Sequence, residues 1–213
     1  MKKIVTLLAA SLVMPAAAHA AAFVNGSFEN GTDPGSSFST LYAGSTDLTG
    51  WSIDSGSIDY IGGYWQAGDG NRSLDMNGNS IASISQTFDT VAGQTYQVDF
   101  LLAGNPDGGP TVKTLQVGAT GNAAQDYSFD TTGMNRYFMG WTTESYFFQA
   151  TSNATTLTFT SLTSGDGDYY GPALDGISVT TAVPEAATWA MMIAGSAMAG
   201  AFMRRRQTAL RFA

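Results

Sequence analysis

The chain contains no cysteine, and its single histidine, His19, lies within the first twenty residues. The rest of the protein therefore has no thiol nucleophile, no Ser-His-Asp triad and no histidine-ligated zinc or iron. It also has no disulfide, so an exported domain of this sequence must be held together by its hydrophobic core and by any metal that it binds. These absences remove the commonest routes to nucleophilic catalysis.

Basic residues are almost as scarce between residues 21 and 182. Arg72, Lys113 and Arg136 are the only ones in that segment, against sixteen acidic residues, so its net charge is −13. Binding to nucleic acid requires a cationic surface that neutralises phosphates, and adhesion to anionic lipid requires the same. The segment is therefore predicted to bind no nucleic acid, and its acidity suits an exported domain that holds divalent cations.

Sustained helical periodicity is missing from residues 21–181. Apolar and polar residues alternate instead, as in QTYQVDFLLAG (94–104), where Tyr96, Val98 and Phe100 share one face. Turns rich in Gly, Asn and Pro separate this stretch from the other alternating ones, which lie at 83–88, 112–118, 144–150, 155–162 and 173–180. Short strands at this spacing predict an all-β fold, an antiparallel β-sandwich of the jelly-roll type.

Both ends of the chain have the composition of targeting segments. Residues 1–20 combine a basic start, an apolar run and the small-x-small site Ala18-His19-Ala20, which predicts a secretory signal peptide cut after Ala20. Residues 182–213 begin as a linker, continue as an uncharged run over 187–203 and end in basic residues. The run predicts one short transmembrane helix, with the arginines on the cytoplasmic side and the β-domain outside.

The tail resembles the PEP-CTERM sorting signal of Gram-negative bacteria that make exopolysaccharide. The family usually has Pro-Glu-Pro, and Ala186 replaces the second proline here. The resemblance implies processing by exosortase, a membrane-embedded cysteine transpeptidase-like enzyme, after anchoring in the inner membrane in transit to the cell surface or extracellular matrix. The residues that carry it are Pro184, Glu185, Trp189, Arg204, Arg205 and Arg206.

The central segment is similar to the choice-of-anchor C family and to the wider galactose-binding-like jelly rolls, which include carbohydrate-binding modules. In similar jelly rolls an N-terminal glutamate and a last-strand aspartate help to hold a structural calcium ion, and Glu29 and Asp175 match those positions. The alternative is that both carboxylates cap turns by accepting backbone N–H groups. The similarity rests on FVNGSFENG (23–31), LTGWSIDSGSIDYIG (48–62), SISQTFDTVAGQTYQVDFLLAG (83–104) and PALDGISVT (172–180).

Aromatic residues in two glycine-rich loops form the candidate binding surface, because aromatic faces bind sugar rings. Neither loop shows the alternation that buries side chains, so the rings are expected at the surface. The alternative is that they pack on the edge of the sandwich. The candidate ligand-binding residues are Tyr64, Trp65, Arg72, Tyr169 and Tyr170.

These features predict an exported, surface-sorted and non-catalytic protein that binds extracellular polysaccharide or matrix. One alternative is a structural or adhesive surface protein that binds no glycan. Another is a small glycoside hydrolase, which needs two carboxyl groups about 5–10 Å apart. Glu29 and Glu144 are the only glutamates between the two targeting segments.

The sorting prediction has a direct check in the mass of the exported protein. Cleavage at the sorting signal would leave a C-terminus near Pro184, and signal-peptide cleavage would leave Ala21 at the start. Mass spectrometry of protein recovered from the cell surface measures both ends. Exported protein that retains the three arginines would identify the tail as a permanent anchor and contradict the prediction.

Overall fold

The structure is a computed structural model that describes residues 22–182. The predicted signal peptide, the predicted sorting signal and the predicted helix at 187–203 lie outside the described residues. Within 22–182 no helix is long and apolar enough to span a membrane. The only helical element of this segment is a 3-10 turn at Asp166–Asp168.

Nine strands build the described part of the chain, and every pairing between them is antiparallel. The strands are β1 (Phe38–Tyr42), β2 (Ser52–Ile61), β3 (Ser73–Asp89), β4 (Thr95–Gly104), β5 (Val112–Ala119), β6 (Gln125–Asp130), β7 (Thr142–Gln149), β8 (Ala154–Ser161) and β9 (Pro172–Thr181). The order across the main path is β6-β5-β8-β3-β9-β4-β7, and β2 joins β3 while β1 joins β2. The predicted all-β antiparallel fold is confirmed.

The long strand β3 links the two halves of the fold. Leu74 and Asp75 pair with β9, whereas residues 83–89 pair with β8. Between these two pairings the β2–β3 ladder shifts register around Gly56, which has a φ of 66°. Irregularities of this kind bend a strand and increase its twist. We infer that this bend lets the β8 half of the sheet fold over the β9 half.

The core lies between the two halves. Tyr96, Val98, Phe100 and Leu102 of β4 are buried, as the alternation predicts. The Phe100 ring lies 5.0 Å from that of Tyr127 on β6 and 5.6 Å from that of Phe159 on β8, measured between ring centroids.

Trp51 closes one end of the core. It is 4 % exposed, packs against Phe23 and Phe28, and donates Nε1–H to the carbonyl of Asn25 at 3.0 Å. The N-terminal segment is thereby fixed against the sandwich.

Candidate functional site

A cleft of about 230 Å³ lies above the end of β2 and the first half of β3. The loop that follows β2 (62–72) and the loop that precedes β9 (162–171) both contribute to its walls. Aromatic rings reach it from Phe38, Tyr64, Trp65, Tyr169 and Tyr170. Polar side chains reach it from Asp59, Asp75, Asn79 and Asn105.

The polar floor follows from strand alternation and register. Leu74 and Met76 are buried in the hydrophobic core, so Asp75 between them points to the opposite face of β3. Asp59 of β2 is the register partner of Asp75, which places the two carboxyl groups on the same face. The cleft therefore lies on the face of the sheet opposite to the one on which Leu74 and Met76 are buried, and the core residues Ile61 and Trp65 border it.

Tyr64 is held in a fixed orientation at the rim. Its hydroxyl donates to Asp107 Oδ2 at 2.8 Å, and the guanidinium carbon of Arg136 lies 3.9 Å from its ring centroid. Arg136 also forms an ion pair with Asp107, with Nη2 2.9 Å from Oδ2. Burial and the bond to Asp107 raise the pKa of Tyr64 to about 12, so the hydroxyl stays protonated. The ring is preorganised as one wall of the cleft.

Trp65 lies deeper than the sequence suggests. Its side chain is 5 % exposed, and Nε1–H donates to Ser73 Oγ at 2.8 Å. The expectation that this ring lies at the surface is wrong, because the indole N–H finds its partner inside at the start of β3. Trp65 borders the cleft and supports Tyr64, whose ring centroid is 5.8 Å away.

The two tyrosines of the 162–171 loop form part of the same cleft. Tyr169 is 48 % exposed, and its ring stands nearly perpendicular to that of Tyr170 at 6.4 Å between centroids. Tyr170 is half-buried, and its backbone carbonyl accepts a hydrogen bond from Lys113 Nζ at 2.7 Å. Of the predicted rings, Tyr169 thus offers the most open face.

Arg72 does not join the aromatic residues. Its Nη2 lies 2.8 Å from Asp33 Oδ1, and it is not among the residues that line the cleft. The predicted contact between Arg72 and a ligand beside Tyr64 therefore has no support from this arrangement.

Glu29 and Asp175 both hold the 62–72 loop. Glu29 Oε1 accepts the backbone N–H groups of Asn71 and Arg72 at 2.6 and 2.8 Å. Asp175 Oδ2 accepts those of Gly68 and Asp69 at 2.9 and 2.8 Å, and its Oδ1 accepts that of Gly176 at 2.7 Å. These contacts match the turn-capping interpretation of the two carboxylates.

Glu29 and Asp175 provide only part of the oxygen shell that a calcium ion requires. The hydrogen bonds to Glu29 all reach Oε1, which leaves Oε2 to another ligand, whereas both oxygens of Asp175 already accept N–H groups. Among residues 22–182, no group of three or more Asp, Glu, His and Cys side chains is placed to hold a metal ion. Any cation here would need backbone carbonyls or water for most of its oxygen shell. The calcium site stays a prediction.

Asp75 is the most perturbed ionisable group of the cleft. It is 1 % exposed, and burial raises its pKa to about 8. Its Oδ1 accepts the N–H groups of Asn77 and Gly171, both at 3.0 Å, and its Oδ2 accepts Asn105 Nδ2 at 2.7 Å. The neighbouring Asn77 Oδ1 is buried and accepts no hydrogen bond from the described residues.

The polar floor was not predicted from the sequence. The stretch LDMNGNS (74–80) does carry a signal, since Asp75, Asn77 and Asn79 alternate with Leu74, Met76 and Gly78. What the alternation does not reveal is that Asp59 lies opposite Asp75, because that requires the β2–β3 register. Phe38 is likewise placed by its pairing with Ile61, and Asn105 lies just after the end of β4, where its N–H donates to the carbonyl of Gly171.

The fold and the site together define a class of protein: an all-β sandwich that carries a polar cleft with aromatic walls. Residues 21–180 match the family described as a protein of unknown function (DUF642), and the chain belongs to this family. Residues 182–207 match the PEP-CTERM protein-sorting motif. The similarity to the choice-of-anchor C family stays a prediction.

A relative with a similar segment is Halomucin from Haloquadratum walsbyi (strain DSM 16790 / HBSQ001). The two sequences are 33% identical over 165 residues, which cover 73% of this chain and 2% of Halomucin. The chain thus spans only a small fraction of that protein.

Several solved structures are similar in outline. A family 61 carbohydrate-binding module in complex with β-1,4-galactotriose is 16% identical in sequence. The match covers 75% of this chain and 97% of the module, with a TM-score of 0.45. A family 35 module from Paenibacillus barcinonensis is 16% identical, covers 68% and 99%, and has a TM-score of 0.44. A family 35 module from Clostridium thermocellum is 14% identical, covers 67% and 98%, and has a TM-score of 0.45.

The buried carboxyl groups predict that the folded state is more stable in mild acid. Burial raises the pKa of Asp75 to about 8 and that of Asp175 to about 7, from an ordinary value of 3.8. The folded protein therefore holds protons that the unfolded chain releases. The resulting stability is fully present below about pH 4 and is lost as the pH rises to about 8, by about 1 kcal/mol per pH unit for each group.

Urea unfolding between pH 5 and pH 8 measures this slope, which is the change in the free energy of unfolding per pH unit. Asp75→Asn is expected to reduce the slope, whereas Asp89→Asn, which neutralises an exposed carboxylate at the end of β3, should leave it nearly unchanged. A free energy of unfolding that increases from pH 5 to pH 8 would contradict the assignment.

Proposed function

We propose that this protein is a non-catalytic, surface-sorted protein that binds an extracellular polysaccharide in the cleft. The observation that carries the proposal is the convergence of Tyr64, Tyr169 and Tyr170 on one cleft whose floor is polar. Aromatic faces stack on the apolar faces of sugar rings, while carboxylates and amides bond to hydroxyl groups. Clefts for drug-sized ligands measure roughly 300–1,000 Å³. A cleft of about 230 Å³ is smaller than these and suits a single sugar ring of a longer chain.

The PEP-CTERM motif supports the location of this activity. It occupies residues 182–207, directly after the sandwich domain, as expected of a signal that directs an exported domain to the surface. In this proposal an exosortase-type enzyme processes the tail after transit through the inner membrane, and the domain then reaches the cell surface or the matrix.

The geometry gives little support to a glycoside hydrolase. Neither Glu29 nor Glu144 lines the cleft, and Glu29 is engaged by the 62–72 loop. Asp59 and Asp75 do form a carboxyl pair in the cleft. Asp75, however, is 1 % exposed and both its oxygens accept hydrogen bonds, so it is poorly placed to protonate a glycosidic oxygen.

A structural or adhesive role without glycan binding remains the second candidate. The observation that favours it is the turn at 135–138, where Tyr137 is 92 % and Phe138 is 59 % exposed. Exposed apolar rings of this kind commonly mark contact surfaces. A protein that binds no polysaccharide but loses adhesion when these two rings are removed would support this role.

Replacing the open ring tests the proposed site. Tyr169→Ala is expected to weaken binding to the producer's own exopolysaccharide about five- to tenfold, because one stacking face is lost. Tyr169 is half exposed, so the fold should tolerate the change. Affinity electrophoresis in gels containing the polysaccharide measures the effect.

The matched control is Phe147→Ala on β7, which removes a ring that is 56 % exposed and does not line the cleft. Equal losses for both variants, or no loss for Tyr169→Ala, would show that the polysaccharide binds elsewhere.

We further propose that a calcium ion stabilises the 62–72 loop through Glu29 and Asp175. The free Oε2 of Glu29 and the acidity of the domain support this proposal. Calcium that binds only the folded state should raise the thermal midpoint of the exported protein relative to protein in chelator. Glu29→Gln should reduce this response. Identical midpoints in calcium, magnesium and chelator would exclude the site.

A further inference from the structure

The basic residues of the described segment are all engaged away from a ligand. Arg72 pairs with Asp33 at 2.8 Å, and Arg136 pairs with Asp107 at 2.9 Å. Lys113 is buried and donates from Nζ to the carbonyls of Gly108 and Tyr170 at 2.8 and 2.7 Å. Within residues 22–182, therefore, no uncommitted cation is available to an anionic sugar in the cleft.

The amide donors of the cleft are also turned toward the protein. Asn79 Nδ2 donates to the hydroxyl of Tyr42 at 2.6 Å. Asn105 Nδ2 donates to Asp75 at 2.7 Å, while its Oδ1 accepts the N–H of Asp107, and these two bonds fix its orientation. The hydroxyl of Tyr64 donates to Asp107 as well. Many of the hydrogen-bond donors of these side chains are thus engaged within the protein.

Hydrogen-bond acceptors in the cleft, in contrast, are in excess of the available donors. Asp59 Oδ1 accepts the hydroxyl of Thr40 at 2.6 Å, and its Oδ2 receives no donor from the described residues. Burial raises the pKa of Asp75 to about 8, whereas for Asp59 burial raises the pKa less and the hydrogen bond from Thr40 lowers it, so Asp59 is the more acidic carboxyl group of the cleft and the one that brings negative charge to it. A cleft floor with an open carboxylate oxygen and one negative charge complements a ligand that donates hydrogen bonds and carries a positive charge.

The aromatic walls suit the same ligand. Phe38 and Tyr64 lie with ring centroids 5.0 Å apart beside Asp59, and both line the cleft. Aromatic faces attract cations, and an ion pair bordered by apolar rings is stronger than the same pair in water. A carboxylated sugar would instead bring a second negative charge against Asp59, and each basic residue within 22–182 is already paired elsewhere.

We propose that the cleft selects polysaccharides that carry protonated amino groups, namely polymers of de-N-acetylated amino sugars, and binds the ammonium group at Asp59. This inference rests on the proposed polysaccharide-binding function and names its ligand class. The ammonium group donates to Asp59 Oδ2, while the sugar ring stacks against the aromatic walls. Polymers of uronic acids are rejected by the same charge.

Calorimetry with three oligosaccharides of equal length tests the inference at pH 6.5: β-1,4-linked glucosamine, its fully N-acetylated form and a β-1,4-linked uronate. The glucosamine oligomer is expected to bind the exported protein at least about tenfold more tightly than the N-acetylated form, because a hydrogen bond to a charged group is lost on acetylation. Added salt should narrow this difference. The uronate should bind most weakly.

Asp59→Asn should abolish the preference for the amine, since the asparagine oxygen can still accept from Thr40 but the side chain carries no charge. Asp54→Asn removes the same charge from an exposed position on the same strand, away from the cleft lining, and should behave as the wild type. If Asp59→Asn does not fold, the ratio of the two affinities and its salt dependence in the wild-type protein decide the question.

Equal affinity for the amine and the N-acetylated oligomer, or tighter binding of the uronate, would overturn the inference and leave the proposed function intact. If none of the three oligosaccharides nor the producer's own polysaccharide binds, the proposed function itself fails. A preference for the amine that Asp54→Asn abolishes as fully as Asp59→Asn would also overturn it, because general acidity would then explain the binding.

Discussion

Two carboxylates from opposite ends of the domain hold the loop on which the candidate site depends. Glu29 accepts two backbone N–H groups of the 62–72 loop, and Asp175 of β9 accepts two more. Each carboxyl group thus holds two backbone N–H groups of the loop, and Asp175 does so from a buried position. A glycine-rich loop would otherwise have many conformations. Anchored in this way, it places Tyr64 and Trp65 against the outer face of β3, where strand pairing has already placed Asp59 beside Asp75.

Charge neutralisation within the domain sets the chemistry of this site. The three basic residues within 22–182 pair with Asp33, Asp107 and backbone carbonyls, so carboxylate and amide oxygens dominate the polar lining of the cleft. Arg136 illustrates the arrangement, since it stacks on Tyr64 and orients that ring instead of facing the ligand. The proposed selectivity of the cleft follows from the pairing of every basic residue within 22–182, which leaves none of them free to bind an anionic sugar.

The alternating residues of β4 were sufficient to predict strands, their buried face and the all-β class, because side-chain period is a local property of the sequence. The grouping of Tyr64 with Tyr169 and Tyr170 followed from their glycine-rich loops, but the depth of Trp65 did not, since its partner Ser73 lies in the next strand. Asp59 and Asp75 could not be predicted as a pair, because register is decided by contacts between distant segments. Arg72 was misplaced for a related reason: its partner Asp33 is 39 residues away.

The most direct measurement is a crystal structure of the exported protein with a bound glucosamine oligosaccharide. The account predicts a sugar ring stacked on the aromatic walls between Tyr64 and Tyr169, with its amino nitrogen within hydrogen-bonding distance of the Asp59 carboxylate. Oligosaccharide bound on another face, such as the threonine-lined groove between β5 and β8, with the cleft left empty, would contradict it.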